Sequence, residues 1–384
     1  MPFTCSTRRH WLGMSAGMLA AAVIPGNAGA MDTRPSPDRT RSPRPTKPLV
    51  LGHRGCPALR PEHTLASYAK AIEDGADFIE PDLVATKDGI LIARHENNIT
   101  ETTDVSGRPE FADRKATRVI DGVSQSGWFT EDFTFAEIRT LRARERLGAR
   151  RPFSQSFDGQ FPVARFDEIV EFVAAEASAR GRTIGLIPEI KHATYFRSIG
   201  LPLEERLLRH FDTSPWLRQT PVVIQSFEVT NLKALRQHLA GRNNVRLMQL
   251  IGERQDKPAD LALQGTDETY ARMLTREGLS AMATYADFVA PNSREVIPLL
   301  ADGSLGKPTG LVANAHAAGL LVGIWTMRPE NSFLPRNLRD GAGDDARNPK
   351  GSVAEIGAYL AAGVDAFFTD DPALGRKAVD TFHH

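Results

Sequence analysis

Hydrophobic positions in this chain come in short runs separated by longer amphipathic stretches. Residues 49–52 (LVLG), 78–83 (FIEPDL) and 90–93 (ILIA) read as strands, the last following a Lys87-Asp88-Gly89 turn. The runs at 183–189, 222–225, 246–250, 288–290, 320–325 and 366–369 read the same way. Helical patterns lie between most of them. One spans 64–74, opened by Thr64 as N-cap and closed by Gly75, and another spans 166–180. Strands alternating with helices predict a parallel sheet covered by helices. About eight repeats over about 325 residues predict a closed (β/α)8 TIM barrel, with an open doubly wound sheet as the alternative. Two stretches break the rhythm, 101–165 after the second strand region and the polar 252–276. Both are expected to be loop insertions, which in a barrel sit on the catalytic rim when they follow strands.

The N-terminus has a different texture. Arg8-Arg9 precedes an apolar run from Leu12 to Ile24, and Ala28-Gly29-Ala30 supplies small residues for cleavage. That order predicts a twin-arginine signal peptide over 1–30 and a folded protein delivered to the periplasm or secreted. The run falls short of the roughly 20 residues that span a bilayer, so no stable membrane insertion is expected. Residues 31–47 hold four prolines and no apolar period, the pattern of a disordered linker, and 48–384 is read as one catalytic domain. Over the 384 residues 41% are hydrophobic, which excludes overall disorder. Lys and Arg number 47 against 47 Asp and Glu, which argues against a dedicated nucleic-acid binder with its basic face. Neither composition nor charge decides between monomer and homodimer. With two cysteines there is no disulfide framework, and cleavage would remove Cys5 and leave Cys56 alone.

Candidate chemistry clusters at strand ends. His53-Arg54 directly follows the first strand, where a barrel places catalytic groups, and pairs a proton carrier with a planar fork suited to phosphate. Glu80 and Asp82 stand two apart, so on a strand they share a face, and two carboxylates aimed together call for a cation. Glu189 and Lys191 repeat that spacing on a later strand, the acid available to a three-carboxylate site and the lysine to an anionic oxygen. His95, before Glu96, is a second histidine available as a proton donor opposite His53. Each cluster also has a plain structural reading as a salt bridge or surface polarity. Together, two histidines, three carboxylates, an arginine and a lysine match the needs of phosphodiester chemistry. The acids of 333–350, Asp340, Asp344 and Asp345, lack the spacing of a calcium hand and are read as a solvated loop.

These residues carry a resemblance. His53-Arg54-Gly55, Arg60-Pro61-Glu62-His63-Thr64, Glu80-Pro81-Asp82-Leu83, Thr86-Lys87-Asp88-Gly89, His95 and Pro188-Glu189-Ile190-Lys191 resemble the motifs of glycerophosphodiester phosphodiesterases. The likeness is greatest to the periplasmic, glycerol-phosphate-pathway branch. It continues through Gln225-Ser226-Phe227, Tyr285-Ala286-Asp287, Trp325-Thr326 and Phe368-Thr369-Asp370-Asp371-Pro372, in order along the mature chain. The resemblance implies a TIM barrel that hydrolyses glycerophosphodiesters to sn-glycerol 3-phosphate and an alcohol. His53 and His95 would then be the general acid–base pair. Glu80, Asp82 and Glu189 would hold one Ca²⁺ or Mg²⁺ ion, and Arg54 and Lys191 would grip the phosphate. Glu62 would orient His53 or Arg54. Gln225 would reach the ligand or a neighbouring loop, and Trp325 would pack on the substrate or in the barrel core. Asp370 is read as structural, and Cys56 as a small loop residue. Glu96 stands where the family usually has aspartate after the histidine, which bears on the orientation of His95. The attacking oxygen is water or the glycerol 2-hydroxyl.

Two other functions fit parts of the pattern. A lysophospholipase D or phospholipase D-like enzyme would need an apolar entrance, for which 101–165 offers Trp128, Phe129, Phe133 and Phe135. A non-catalytic periplasmic binder of phosphorylated ligands would not require both histidines.

Overall fold

The apolar runs pair in one direction until they close on themselves. The computed structural model describes residues 43–382. The signal peptide expected over 1–30 and the linker as far as residue 42 lie outside the described residues. Within them, Arg44 Nε donates to Asp365 Oδ1 at 2.6 Å. The strands are β1 (Leu49–Gly52), β2 (Phe78–Ile79), β3 (Asp82–Ala85), β4 (Leu91–Ala93), β5 (Ala116–Ile120), β6 (Val123–Gly127), β7 (Gly185–Leu186) and β8 (Glu189–Ile190). They continue with β9 (Val222–Ser226), β10 (Val245–Leu250), β11 (Phe288–Ala290), β12 (Leu321–Met327) and β13 (Ala366–Thr369).

Parallel pairing runs from β1 through β2 and β7 to β9, then through β10, β11, β12 and β13 back to β1. With β2–β3 and β7–β8 each counted as one broken strand, this is an eight-stranded (β/α)8 barrel. Each break falls where proline removes a ladder donor, at Pro81 and at Pro188. Beyond the breaks the register resumes, with Asp82 opposite Glu189 and Glu189 opposite Gln225. The two prolines therefore lift the acidic ends of adjacent strands out of the regular ladder side by side. Residues 90–93 do form a strand, but β4 pairs antiparallel with β3 and hangs off the ring.

One apolar cluster draws a side chain from every barrel strand, including Leu51, Phe78, Ile187, Met248, Phe288 and Phe368. A second lies between the strands and the surrounding helices. Helix Leu65–Glu73 starts at Thr64, whose hydroxyl accepts from Ser67 N, as its sequence predicts. Helix Phe166–Arg180 buries Phe166, Ile169, Val170 and Val173, one face at helical spacing.

Within the barrel, Phe78 lies in register with Gly185, and a Cβ on Gly185 would meet the Phe78 ring at 2.2 Å. Gly185→Ala is expected to destabilise the fold by about 1–3 kcal/mol, the range for overpacking a filled core. Urea unfolding with an unchanged m-value measures it, and a variant as stable as the parent would mean that Phe78 has room to turn away.

Residues 101–165, expected as loop, are instead built structure. The hairpin β5–β6 turns at Asp121-Gly122, both at positive φ (48° and 82°), as a two-residue hairpin turn demands. Trp128, Phe129 and Phe133 are buried. Thr130 Oγ1 donates to Ala85 O at 2.9 Å, and Lys87 N donates to Phe133 O at 2.8 Å, which fastens the insertion to the end of β3. The polar 252–276 stretch holds the short helices Ala259–Leu263 and Tyr270–Met273. No helix among the described residues is long and apolar enough to cross a membrane.

Candidate active site

The loop after β1 folds tightly because its residues accept unusual backbone angles. Gly55 has φ 96°, and a Cβ there would lie 2.5 Å from Ser67 Oγ. Arg54 and His63 also sit in the left-handed region, at φ 56° and 57°, a cost of about 1–3 kcal/mol each that tends to persist at functional sites. His63 N donates to Arg54 O at 3.0 Å and closes the loop. The turn directs Arg54 N to Glu80 Oε2 at 3.0 Å and Arg54 Nη1 to Glu62 Oε2 at 3.0 Å.

Glu80, Asp82 and Glu189 converge at the barrel mouth, one oxygen of each lying within 4.8 Å of the others. All three are buried. Burial, with Asp82 and Glu189 alongside, pushes Glu80 well above the usual carboxylate range. Burial and the Asp82 charge raise Glu189 to about 8, against the pull of Lys191. Burial works the same way on Asp82, but His63, Lys191 and His95 outweigh it and hold that carboxyl low. Asp82 Oδ1 is buried and accepts no hydrogen bond. Three buried carboxylates with too few donors, and no sulfur or nitrogen among them, suit a hard divalent cation that takes oxygen ligands.

The cations flank this cluster. Lys191 Nζ lies 2.8 Å from Glu189 Oε1, and Arg54 Nε lies 3.5 Å from Asp82 Oδ2. His53 faces it, and His95 lies near enough for its charge to act on Asp82. His53 Nε2 is 4.0 Å from Glu80 Oε2, while its Nδ1 meets Asp370 Oδ1 at 2.5 Å. His95 Nδ1 pairs with Glu96 Oε1. Burial, with Arg54 nearby, lowers His53 to about 4, and burial with Arg54 and Lys191 lowers His95 to about 3.

Of the residues singled out from sequence, His53, Arg54, Glu80, Asp82, His95, Glu189 and Lys191 come together. Glu62 stands behind Arg54, as expected of an orienting group. Gln225 is fully buried and gives its amide to Glu80 Oε1 at 2.7 Å and to Ile187 O at 3.3 Å. Its observed partner is thus an acid of the cluster. Trp325 is half-buried and caps the barrel interior, with Nε1 donating to Ala290 O at 2.9 Å and its ring edge-on to Phe227 at 6.0 Å.

Other residues around the site receive no catalytic or binding role from sequence. His63 Nε2 meets Asp82 Oδ2 at 2.9 Å and is itself held by Tyr68. Arg146, from the insertion, bridges Glu62 and Glu96. Arg151 reaches Asp370 Oδ2 at 2.5 Å and Glu330 Oε1 at 2.7 Å. Asp370, read from sequence as structural, touches His53 directly. Its place after the last strand run, in Phe368-Thr369-Asp370-Asp371-Pro372, was the signal available for it, and nothing in 142–151 (RARERLGARR) distinguishes the arginines that turn inward.

Comparison with known proteins agrees with this geometry. Residues 53–374 match the model of the glycerophosphoryl diester phosphodiesterase family. Glycerophosphodiester phosphodiesterase GDPD6 of Arabidopsis thaliana is 34% identical over 310 residues, covering 77% of this chain and 78% of the relative. A Haemophilus influenzae glycerophosphodiester phosphodiesterase is 26% identical over 294 residues, 72% of this chain and 76% of its own. Among solved structures, an Oleispira antarctica phosphodiesterase in complex with the product sn-glycerol-3-phosphate aligns with TM-score 0.54 at 17% identity. That alignment covers 87% of this chain and 98% of the other and bears on the fold alone.

Proposed function

The chain belongs to the glycerophosphoryl diester phosphodiesterase family, a family of hydrolases, and from that membership we propose that it cleaves glycerophosphodiesters to sn-glycerol 3-phosphate and an alcohol with one divalent cation, Ca²⁺ or Mg²⁺, and a histidine acid–base pair. The observation that carries this reading is the convergence of Glu80, Asp82 and Glu189 beside two histidines and two phosphate-sized cations at the barrel mouth. Glu80, Asp82 and Glu189 would hold the ion, which when bound draws charge from the phosphoryl oxygens. Arg54, beside Asp82, and Lys191, beside Glu189, orient the phosphate. Arg54 Nε is buried without a hydrogen-bond partner, a donor left for an anionic oxygen.

The attacking oxygen forms a bond to phosphorus and yields its proton to Nε2 of one histidine. The bond from phosphorus to the leaving oxygen breaks, and the other histidine, which enters the step protonated on Nε2, gives that alkoxide its proton; exchange with solvent then restores both histidines. Of the four aromatics that could have formed an apolar entrance, Trp128, Phe129 and Phe133 are buried and Phe135 is half-buried, which favours a deacylated substrate over a phospholipid. Arg8-Arg9 and the residues after them support export of the folded enzyme to the periplasm or beyond.

The test is a coupled assay of glycerol 3-phosphate release from glycerophosphocholine by residues 31–384. Release abolished by EDTA and restored by Ca²⁺ or Mg²⁺ is the expected result. Full release in the presence of EDTA, from protein shown to be metal-free by elemental analysis, would remove the cation from the reading.

A further inference from the structure

Two arginines on one short stretch of the insertion each end at a carboxylate, and each carboxylate ends at a histidine. Arg151 Nη2 donates to Asp370 Oδ2 at 2.5 Å, while Asp370 Oδ1 meets His53 Nδ1 at 2.5 Å. Arg146 Nη2 donates to Glu96 Oε2 at 2.7 Å, while Glu96 Oε1 meets His95 Nδ1. We infer that the insertion between β4 and helix Phe166–Arg180 positions both histidines of the acid–base pair, with Arg151 acting on His53 through Asp370 and Arg146 acting on His95 through Glu96. This rests on the reading of His53 and His95 given above.

The chemistry of each chain is the same. An ionised carboxylate only accepts hydrogen bonds, so it fixes the ring hydrogen on Nδ1 and leaves Nε2 to exchange protons. It also offsets the positive charge that appears when Nε2 takes a proton. The guanidinium behind it keeps the carboxylate anionic and aimed. Arg151 suits that task because it is locked on its other side, with Nε and Nη2 donating to Glu330 at 2.7 and 3.3 Å and a side chain 4% exposed. Arg146 holds Glu62 on its other side, with Nη2 at 2.8 Å from Glu62 Oε1, and so touches the support of Arg54 too.

A need for stability alone does not account for these chains. Burying ion pairs costs desolvation that well-packed apolar residues avoid, so such a pair is poor evidence of a purely structural role. Outside the insertion, Arg328, which follows β12, also reaches Asp370 Oδ2, at 3.3 Å against 2.5 Å for Arg151. The insertion, which the barrel does not need to close, therefore supplies the closer arginine partner of Asp370 and the arginine partner of Glu96.

Arg151→Ala and Arg146→Ala, made in the metal-loaded enzyme, test the inference beside Arg144→Ala, an insertion arginine whose side chain is 49% exposed. With glycerophosphocholine, both inward variants are expected to lose about 10–100-fold in kcat, the usual cost of removing an outer partner of a working histidine. KM for Arg151→Ala should stay within about twofold, since that residue meets no phosphate-binding group. Arg144→Ala should match the parent.

The deciding readout is the leaving group. On the p-nitrophenyl ester of glycerol 3-phosphate, whose nitrophenolate departs without a proton, the variant behind the general acid should recover most of its loss, and the variant behind the base should not. Equal losses on both substrates in both variants, or kcat within about twofold of the parent, would overturn the inference. If either alanine variant fails to fold, Asp370→Asn and Glu96→Gln keep the shape, remove the charge and should reproduce the pattern. Activity retained by His53→Ala and His95→Ala would instead overturn the acid–base reading itself.

Discussion

His53→Ala is expected to lower kcat for glycerophosphocholine by about 10²–10⁴-fold, the range that positioned proton transfer contributes, and His95→Ala to do the same. Neither change should unfold the protein. His53 is held by one side-chain hydrogen bond, to Asp370, which keeps Arg151 and Arg328 as partners when the imidazole is gone. His95 is partly exposed, and its partner Glu96 keeps both nitrogens of Arg146. The loss should therefore fall on kcat, with the melting temperature close to that of the parent. Steady-state release of glycerol 3-phosphate at saturating metal, with a thermal melt of each variant, measures both quantities. A variant that keeps more than a tenth of the parent kcat would take its histidine out of the proton path.

The second large effect concerns the acids, and it has two signs. Glu80→Gln should abolish metal-dependent turnover, a loss of at least about 100-fold at limiting metal, beyond what an outer partner costs. In the metal-free protein the same change should leave stability unchanged or raise it. Burial and the neighbouring acids already disfavour an ionised Glu80, and Gln keeps its shape while removing any need to carry that charge. The neighbourhood accommodates an amide: Gln225 Oε1 has no hydrogen-bond partner, so a flip of the Gln225 amide would present an acceptor to the new NH₂.

Excess Ca²⁺ or Mg²⁺ should stabilise the parent by about 2.7 kcal/mol at a concentration of 100 Kd, by mass action. That metal-induced shift should largely vanish in the variant. Melting curves with and without each metal would show the two stability curves crossing. If Glu80→Gln is destabilised without metal and still gains the full shift with it, the three acids do not hold the ion.

Much of the site could be read from the chain because its parts lie at strand ends. In a parallel barrel every strand points the same way, so polar residues that end successive apolar runs, such as His53, Asp82, Glu189 and Lys191, must arrive at one mouth. Reading Glu80 and Asp82 as neighbours on one strand face found the right residues for an incomplete reason. Pro81 breaks that strand, and the register of Asp82 opposite Glu189 is what completes the cluster.

Where a residue's position depends on no period, the chain was silent. The Asp121-Gly122 turn is a hairpin signal that can be recognised, yet the short flanking strands, ATRVI and VSQSG, carry too few apolar residues to show a strand period. Gln225 stands at a strand end like the others, but its full burial turned it to Glu80.

Sequence by itself determined the alternation of strands and helices, the barrel it implies, and the residues at the mouth, because each rests on contacts between near neighbours or on a repeating period. Tertiary structure alone decided which groups stand behind the histidines. Asp370 lies 317 positions from His53, and Arg151 lies 219 from Asp370. The direction of each inward arginine follows from how the insertion packs on the end of β3 and over the mouth. Loop side chains follow no period, and five arginines between 142 and 151 are alike until packing chooses among them.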